Sequence, residues 1–248
     1  MHDQEAIRSG LSNQEFFLEY LPTVSLKDGR CVGCEALIRW RHNGRVIPPL
    51  EFIPIIENTA LSGPITYWVI DNVAQQLGSW LREHRDVHIS VNIPPGILGH
   101  TGLSAAIANS NLIDTIDQLI VEITERGMPD KVDVIPSNRG TKRRARVALD
   151  DAIMTETSLV TLSQSRVDIV KIDKPFIDRI LRDDCPTGQI ATLEKLLRGK
   201  KHVTIAEGVE TAAQAEHLKR LGVDMAQGWY FSSPLSAQDF KKYFDAHR

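Results

Sequence analysis

The fold is decided between residues 145 and 173. Two apolar, β-branched runs, Ala145-Arg-Val-Ala-Leu-Asp-Asp151 and Val167-Asp-Ile-Val-Lys-Ile-Asp173, flank a segment of helical period over 155–164. Each run reads as a short buried strand, and a strand, a crossover and a second strand make a parallel βαβ unit. Each run also closes on charged side chains: Asp150 and Asp151 in the first, Lys171 and Asp173 in the second.

The same grammar extends outward in both directions. Strand-like runs lie at 15–23, 31–38, 87–92, 118–123, 203–207 and 223–227, and helix-like segments near 50–59, 64–83, 101–110, 174–182, 187–198 and 211–221. In 64–83, Ile65, Trp68, Val69, Val73, Leu77, Trp80 and Leu81 recur at three- and four-residue steps, which makes one apolar face. Pro64 sits in the first turn, where proline is tolerated. Eight strand candidates with helices between them indicate an α/β domain, and at 248 residues a closed (β/α)₈ barrel is the leading architecture. An open doubly wound sheet is the alternative, weakened because no Gly-x-Gly-x-x-Gly follows any strand. The stretch 127–144, with Pro129, Pro136, Asn138 and Gly140, reads as an interrupted crossover.

Composition bounds the function. Hydrophobic residues make up 42% and charged residues 25%, so the chain can bury a core. A net charge of −3 gives no pull toward a nucleic-acid polymer or an anionic membrane. The start, Met1-His2-Asp3-Gln4-Glu5, is no signal peptide, and no apolar run is long enough to span a bilayer. Three cysteines, Cys31, Cys34 and Cys185, make no disulfide framework, so a cytoplasmic setting is expected.

The polar residues at the strand ends carry the chemistry. Glu35 lies in Cys31-Val-Gly-Cys-Glu-Ala-Leu-Ile38, Asn92 ends 88–92, and Glu122 ends 119–122. Asp150 and Asp151 end the next run, followed by Lys171 and Asp173, then Glu207, then Gln227. In a (β/α)₈ barrel all strand C-termini open on one face, so these side chains are expected to meet at one mouth. Carboxylates that close force one another to protonate unless cations compensate them. All the donors are oxygens, which favours a hard ion, Mg²⁺ or Mn²⁺, over Zn²⁺. Six oxygen side chains suffice for two ions, with the Asp150–Asp151 pair suited to bridging them. Two such ions are the apparatus of phosphodiester hydrolysis. Lys171 adds positive charge beside water or phosphate.

At these residues the chain resembles the EAL domain, the cyclic di-GMP phosphodiesterase family of bacteria, over about residues 13–235. The resemblance rests on an ordered series: Glu35-Ala-Leu-Ile-Arg-Trp40, Phe52-Ile-Pro54 with Glu57, Ser90-Val-Asn-Ile93, Glu122-Ile-Thr-Glu125, Leu149-Asp-Asp151, Lys171-Ile-Asp-Lys-Pro-Phe176, Ala206-Glu-Gly-Val-Glu-Thr211 and Gln227-Gly228. It implies a single modified barrel domain whose first strand runs antiparallel to the others. It also implies metal-dependent opening of cyclic di-GMP to linear pGpG. By the same resemblance, Glu35, Asn92, Glu122 and Asp150 look like ligands of one Mg²⁺ or Mn²⁺, and Asp150, Asp151 and Glu207 like those of a second. Glu207 also resembles a general base and Lys171 the residue that orients water. Leu37, Arg39 and Pro234 resemble substrate contacts, and Gln227 a group that positions water or substrate. Glu125, Asp173 and Glu210 resemble supports that orient the ligands. A homodimer and a fused or separate sensory or GGDEF domain are the partners the family implies.

Two departures from the family pattern bear on rate. After the Asp pair the family usually has two glycines in Phe-Gly-Thr/Ser-Gly-Tyr/Phe-Ser-Ser; here the loop is Ala152-Ile-Met-Thr-Glu-Thr-Ser158. Ile153 and Thr155 disfavour the positive φ that glycine permits, so the loop is expected to take another path. The family often has glutamine where Leu21 stands in Tyr20-Leu-Pro22, which removes one polar contact to a guanine. The enzyme reading is therefore a slow or metal-hungry phosphodiesterase. The alternative is a cyclic di-GMP receptor that signals through a protein partner; a protein-binding module without nucleotide is a weaker third.

Other features read as structural. Cys31-x-x-Cys34 is a single pair on a strand, where residues three apart face opposite sides. Lys142, Arg143, Arg144 and Arg146 make a solvated basic run without interleaved aromatics. No His-Glu-x-x-His spacing occurs, and His88 reads as a satisfied, half-buried strand residue. Trp229, Tyr230 and Phe231 read as core and rim, with an aromatic available to stack on guanine.

Overall fold

The computed structural model describes residues 3–110, 112–124, 137–138, 143–152, 154–155, 160, 162, 166–182, 186–199 and 201–248. Helix α1 (Gln4–Ser12) leads into β1 (Phe16–Ser25), β2 (Cys31–His42) and β3 (Arg45–Ile47). Then come α2 (Pro49–Ile56), α3 (Ser62–Glu83), β4 (His88–Asn92), α4 (Thr101–Asn109) and β5 (Leu119–Thr124). A small antiparallel ribbon, β6 (Ser137–Asn138) with β7 (Arg143–Arg144), precedes β8 (Arg146–Ala152). The chain continues through β9 (Ile169–Ile172), α5 (Lys174–Ile177), α6 (Thr187–Gly199), β10 (Val203–Ala206), α7 (Ala212–Leu221), β11 (Met225–Ala226) and α8 (Ala237–Ala246).

Pairing runs β1-β11-β10-β9-β8-β5-β4-β2, and β1 also pairs with β2, which closes the sheet into a barrel. Strand β1 is antiparallel to both neighbours, whereas the pairs from β2 through β4, β5, β8, β9 and β10 to β11 are all parallel. The fold is thus the α/β barrel with a reversed first strand. An antiparallel β1–β2 pair needs only a short turn, which explains the missing helix at 26–30.

Hydrophobic side chains divide between two layers. The larger core lies between strands and helices and includes Trp40, Phe52, Ile70, Leu77, Val121, Phe176 and Leu218. A smaller one, Ile120, Ala148, Ile169 and Ile205, lies inside the barrel. Each of these four stands two residues before a polar residue: Glu122, Asp150, Lys171 and Glu207. Strand side chains alternate, so each polar group points inward one layer above its apolar predecessor.

Two strands depart from regular alternation, and both departures matter. Between β1 and β2, Thr23 pairs with Gly33 but Val24 with Cys31, so Val32 is an extra residue. That bulge places Cys31 and Cys34 together in the outer core, correcting the expectation that they face opposite sides. Between β8 and β9, Leu149 pairs with Val170 and Ala152 with Ile172, a second bulge. Asp151 sits in it with φ +53°. The expected helix over 155–164 falls mostly outside the described residues. That over 174–182 shortens to α5 with turns after it, and α1, β3 and α8 join the predicted elements.

Candidate active site

Lys171 is the centre of the mouth. It is 1% exposed, and its Nζ lies 2.7 Å from Glu207 Oε1, 2.8 Å from Glu122 Oε2, 3.0 Å from Asp150 Oδ1 and 3.2 Å from Glu35 Oε2. Gln227 closes the ring: its Nε2 donates to Glu35 Oε2 at 2.6 Å and to Glu207 Oε1 at 3.0 Å. Asn92 Nδ2 donates to Glu35 Oε1 at 2.9 Å. Five strands, β2, β4, β5, β8 and β9, and the residues just after β10 and β11 therefore contribute to one site, as the strand-end pattern predicts.

The second bulge explains the acidic pair. On a regular strand, Asp150 and Asp151 would face opposite sides. The extra residue, with its left-handed backbone at Asp151, brings both to the mouth, where Asp150, Asp151 and Glu207 offer oxygens within 4.8 Å of one another. A non-glycine residue in that backbone region is strained, and such strain concentrates at functional sites.

Charge at the mouth is unbalanced. Burial works to lower the Lys171 pKa, but Glu122, Glu207, Glu35 and Asp150 outweigh it and hold the ammonium well above its ordinary range. Burial also pushes Glu35 up, yet Lys171 and the hydrogen bonds from Gln227 and Asn92 prevail and keep it ionised. Burial and the neighbouring Glu35 push Glu122 well up. Burial, with Asp150 and Glu35, raises Glu207 to about 8, and burial with Asp150 raises Asp151. Were all four carboxylates ionised, one ammonium would leave three negative charges uncompensated, and the upward shifts of Glu122 and Glu207 are the response to that excess. Glu122 Oε1 is buried without a hydrogen-bond partner, and Asp150 Oδ1 meets only the Lys171 ammonium, at 3.0 Å. Orphaned carboxylate oxygens beside excess negative charge are what a divalent cation relieves, so these donors fit a hard ion.

The remaining predicted residues lie around this cluster. Leu37 lines a recess of about 370 Å³ that opens from Asn92, Asp150 and Asp151 toward Ile53, Ile65 and Val69. Arg39 stands one pleat above Leu37 on β2, its Nε bonded to Glu19 at 2.8 Å and its Nη1 to the Ile38 carbonyl. Asp173 caps α5 through Phe176 N at 3.3 Å. Glu210 is exposed and pairs with Lys174 at 2.9 Å. Pro234 is half-buried beside Leu235, which bridges to Tyr20 of β1. Glu125 lies outside the described residues, as does most of the loop after Ala152. Sequence reasoning missed two supports on β1: Glu19, which holds Arg39, and Thr23, whose Oγ1 donates to Gln227 Oε1 at 3.4 Å. The inward period of β1 was their available signal.

The sequence model of the EAL domain matches residues 4–234. The chain belongs to the EAL domain family. It is 34% identical over 245 residues to the probable cyclic di-GMP phosphodiesterase PdeB of Escherichia coli (strain K12), covering 97% of this chain and 47% of that protein. It is 31% identical to the bifunctional diguanylate cyclase/cyclic di-GMP phosphodiesterase MucR of Pseudomonas aeruginosa, covering 96% of this chain and 35% of that protein. The chain thus spans about half or less of the length of these relatives. Its EAL barrel superimposes on the PaMucR phosphodiesterase in complex with c-di-GMP with a TM-score of 0.81 at 30% identity, covering 95% of this chain and 98% of that one. The EAL enzyme Bd1971, bound to cAMP and cyclic di-GMP, gives a TM-score of 0.83 at 29% identity over 97% of this chain and 67% of that one. Among the described residues, no helix is long and apolar enough to cross a membrane.

Proposed function

We propose that this EAL domain hydrolyses cyclic di-GMP to linear pGpG, using two divalent cations, Mg²⁺ or Mn²⁺. The observation that carries the reading is the buried Lys171 among Glu35, Glu122, Asp150 and Glu207, with Asp151 turned into the same mouth. Glu35, Asn92, Glu122 and Asp150 would hold one ion; Asp150, Asp151 and Glu207 would hold the other. Bound there, the ions supply positive charge that acidifies water and steadies phosphoryl oxygens.

The chain's own groups do the rest. Lys171 places a fixed ammonium where water or a phosphate oxygen meets the carboxylates. Gln227 bridges Glu35 and Glu207 and sets their spacing. Glu207, raised to about 8, suits proton exchange near neutral pH. Arg39 stands on the same strand as Glu35 for a charge-assisted bond to phosphate. The apolar recess walled by Leu37, Ile53 and Ile65 receives a planar, weakly polar part of the nucleotide. The reading takes the chain as one barrel domain working in the bacterial cytoplasm, with a sensory or GGDEF domain and a second copy as partners.

The test is a time course with cyclic di-GMP, with Mg²⁺ or Mn²⁺ and with chelator, resolved by nucleotide chromatography. Linear pGpG should form only with metal, and Glu35→Ala should abolish it. The departure at 152–158 predicts slow turnover at low metal that rises with added Mn²⁺. Intact cyclic di-GMP in every sample, with binding retained, would favour the receptor instead.

A further inference from the structure

We infer that Trp229 is the platform on which one purine base of the substrate stacks. It would be a binding and specificity residue on the side of the mouth away from the Leu37 recess. The inference rests on the nucleotide reading above and adds to it a residue and a contact.

Among the four tryptophans of the chain, Trp229 is the outlier. Trp40 is fully buried, Trp68 and Trp80 are half-buried against the core, and Trp229 is 74% exposed. An indole in water presents a large flat apolar face that a planar ligand can cover. Trp229 follows Gln227 by two residues, and Gln227 is hydrogen-bonded to Glu35 and Glu207. The indole therefore leaves the barrel at the end where the carboxylates converge.

The turn that carries it is pinned. Val209 N donates to the Gln227 carbonyl at 3.1 Å, and Tyr230 N donates to the Val209 carbonyl at 3.0 Å. Phe231 N and Ser232 N both donate to the Gly228 carbonyl, at 3.0 and 3.1 Å. Gly228 has φ +148°, and a Cβ there would lie 2.3 Å from Val209 N and O, so only glycine lets the turn lie this close. The next two residues, Tyr230 and Phe231, pack edge to face with centroids 5.0 Å apart. An exposed ring on a loose loop loses freedom when it binds; one on a turn already fixed loses little. The Leu37 recess opens beside Asn92, Asp150 and Asp151, ends of β4 and β8, whereas Trp229 follows β11. A molecule with two bases joined through phosphates spans such a pair of contacts, with its phosphates over Lys171 between them.

The experiment compares the wild-type chain with Trp229→Phe and Trp229→Ala. Cyclic di-GMP is titrated in chelating buffer by calorimetry and by tryptophan fluorescence, and initial rates are measured with Mn²⁺. Stacking predicts that nucleotide changes the emission in the wild type and that this change is lost in both variants. Trp229→Ala should raise Kd and KM about tenfold, the scale of one base–aromatic stack, with kcat changing much less. Trp229→Phe, which keeps a ring, should stay within about threefold of wild type. Calorimetric binding without change in emission, or Trp229→Ala with wild-type Kd and KM, would overturn the inference while sparing the enzyme reading. A wild-type chain that neither binds nor turns over the nucleotide would overturn both.

Discussion

At the mouth of the barrel, Lys171 is 1% exposed and meets four carboxylates; at the floor, His88 is 3% exposed and its Nε2 finds no hydrogen-bond partner among the described residues. Both side chains point into the same interior, two layers apart. The mouth crowds its titratable groups around a charged ammonium and pushes Glu122 and Glu207 toward protonation. The floor keeps its one titratable imidazole neutral: burial, with the Arg146 charge, holds His88 down at about 3. A mouth built that way is costly to leave uncompensated and useful for chemistry. At the floor, a buried polar atom without a partner costs stability. Substitutions at the two ends should therefore separate rate from stability.

Lys171→Met gives the largest effect. It removes the ammonium that contacts all four carboxylates and leaves their charge buried. Breaking a buried pair of this kind costs about 3–5 kcal/mol, so thermal denaturation in chelator should show a large fall in Tm. Lowering the pH should narrow the gap, because Glu122 and Glu207 are already pushed toward protonation by burial. Hydrolysis should fall on the order of 10²–10³-fold. A variant as stable as wild type in chelator would mean that Lys171 does not balance the cluster.

The next effect belongs to the floor and is read against pH. The folded state depresses the His88 pKa from 6.5 to about 3, so it prefers the neutral ring. Above pH 6.5 both states are neutral and this preference has its full value. As pH falls below 6.5 the unfolded chain takes a proton that the folded chain refuses. Stability then drops by up to about 1.4 kcal/mol per pH unit until pH approaches 3. Denaturant unfolding of wild type against His88→Leu isolates this proton: the curves should diverge below pH 6.5 in favour of His88→Leu. Parallel curves would mean that His88 protonates in the fold. Rates at neutral pH should be alike, in contrast to Lys171→Met.

Gly33→Ala tests the same floor by volume. A Cβ on Gly33 would lie 2.3 Å from His88 Cδ2 and 2.4 Å from its Nε2, so the buried ring must move. Overpacking of this order costs about 1–3 kcal/mol. The loss should appear in Tm with little change in KM, and His88→Ala in the same chain should restore part of it. Gly33 stands one pleat below Glu35 on β2, so a large change in kcat would show that floor and mouth are coupled through that strand.

These contrasts also mark what a sequence can disclose. The strand ends Asn92, Glu122, Asp150, Lys171, Glu207 and Gln227 were legible because each follows an apolar run of strand period, and barrel topology brings strand ends together. The reason Asp150 and Asp151 share a face was not legible: it lies in a bulge, which depends on register with β9. The same blindness covers Val32, whose bulge joins Cys31 and Cys34 in one layer. His88 was read as satisfied because the strand pattern reports the direction of a side chain and is silent on its partners. Helix α8 was legible and missed: Ser236 caps it, and Phe240 and Phe244, four residues apart, bury one face. Arg39 shows the reverse limit, its type fitting a phosphate while Glu19 on the neighbouring strand engages it.

Thr23→Val should have the smallest effect and still discriminates. Thr23 is buried on β1, the reversed strand of the barrel, and its hydroxyl donates to Gln227 Oε1 across 3.4 Å. That bond is long, and its net worth is about 0.5–1 kcal/mol. On the opposite edge of the same amide, Nε2 donates to two carboxylates at 2.6 and 3.0 Å. Turning the amide over would set its oxygen against Glu35 and Glu207, so the carboxylates alone should hold its orientation. Thr23→Val should therefore lower kcat only a few-fold and leave Tm almost unchanged. A loss approaching that of Lys171→Met would instead assign the orientation of Gln227 to β1, and would make the reversed first strand part of the catalytic apparatus as well as the closure of the barrel.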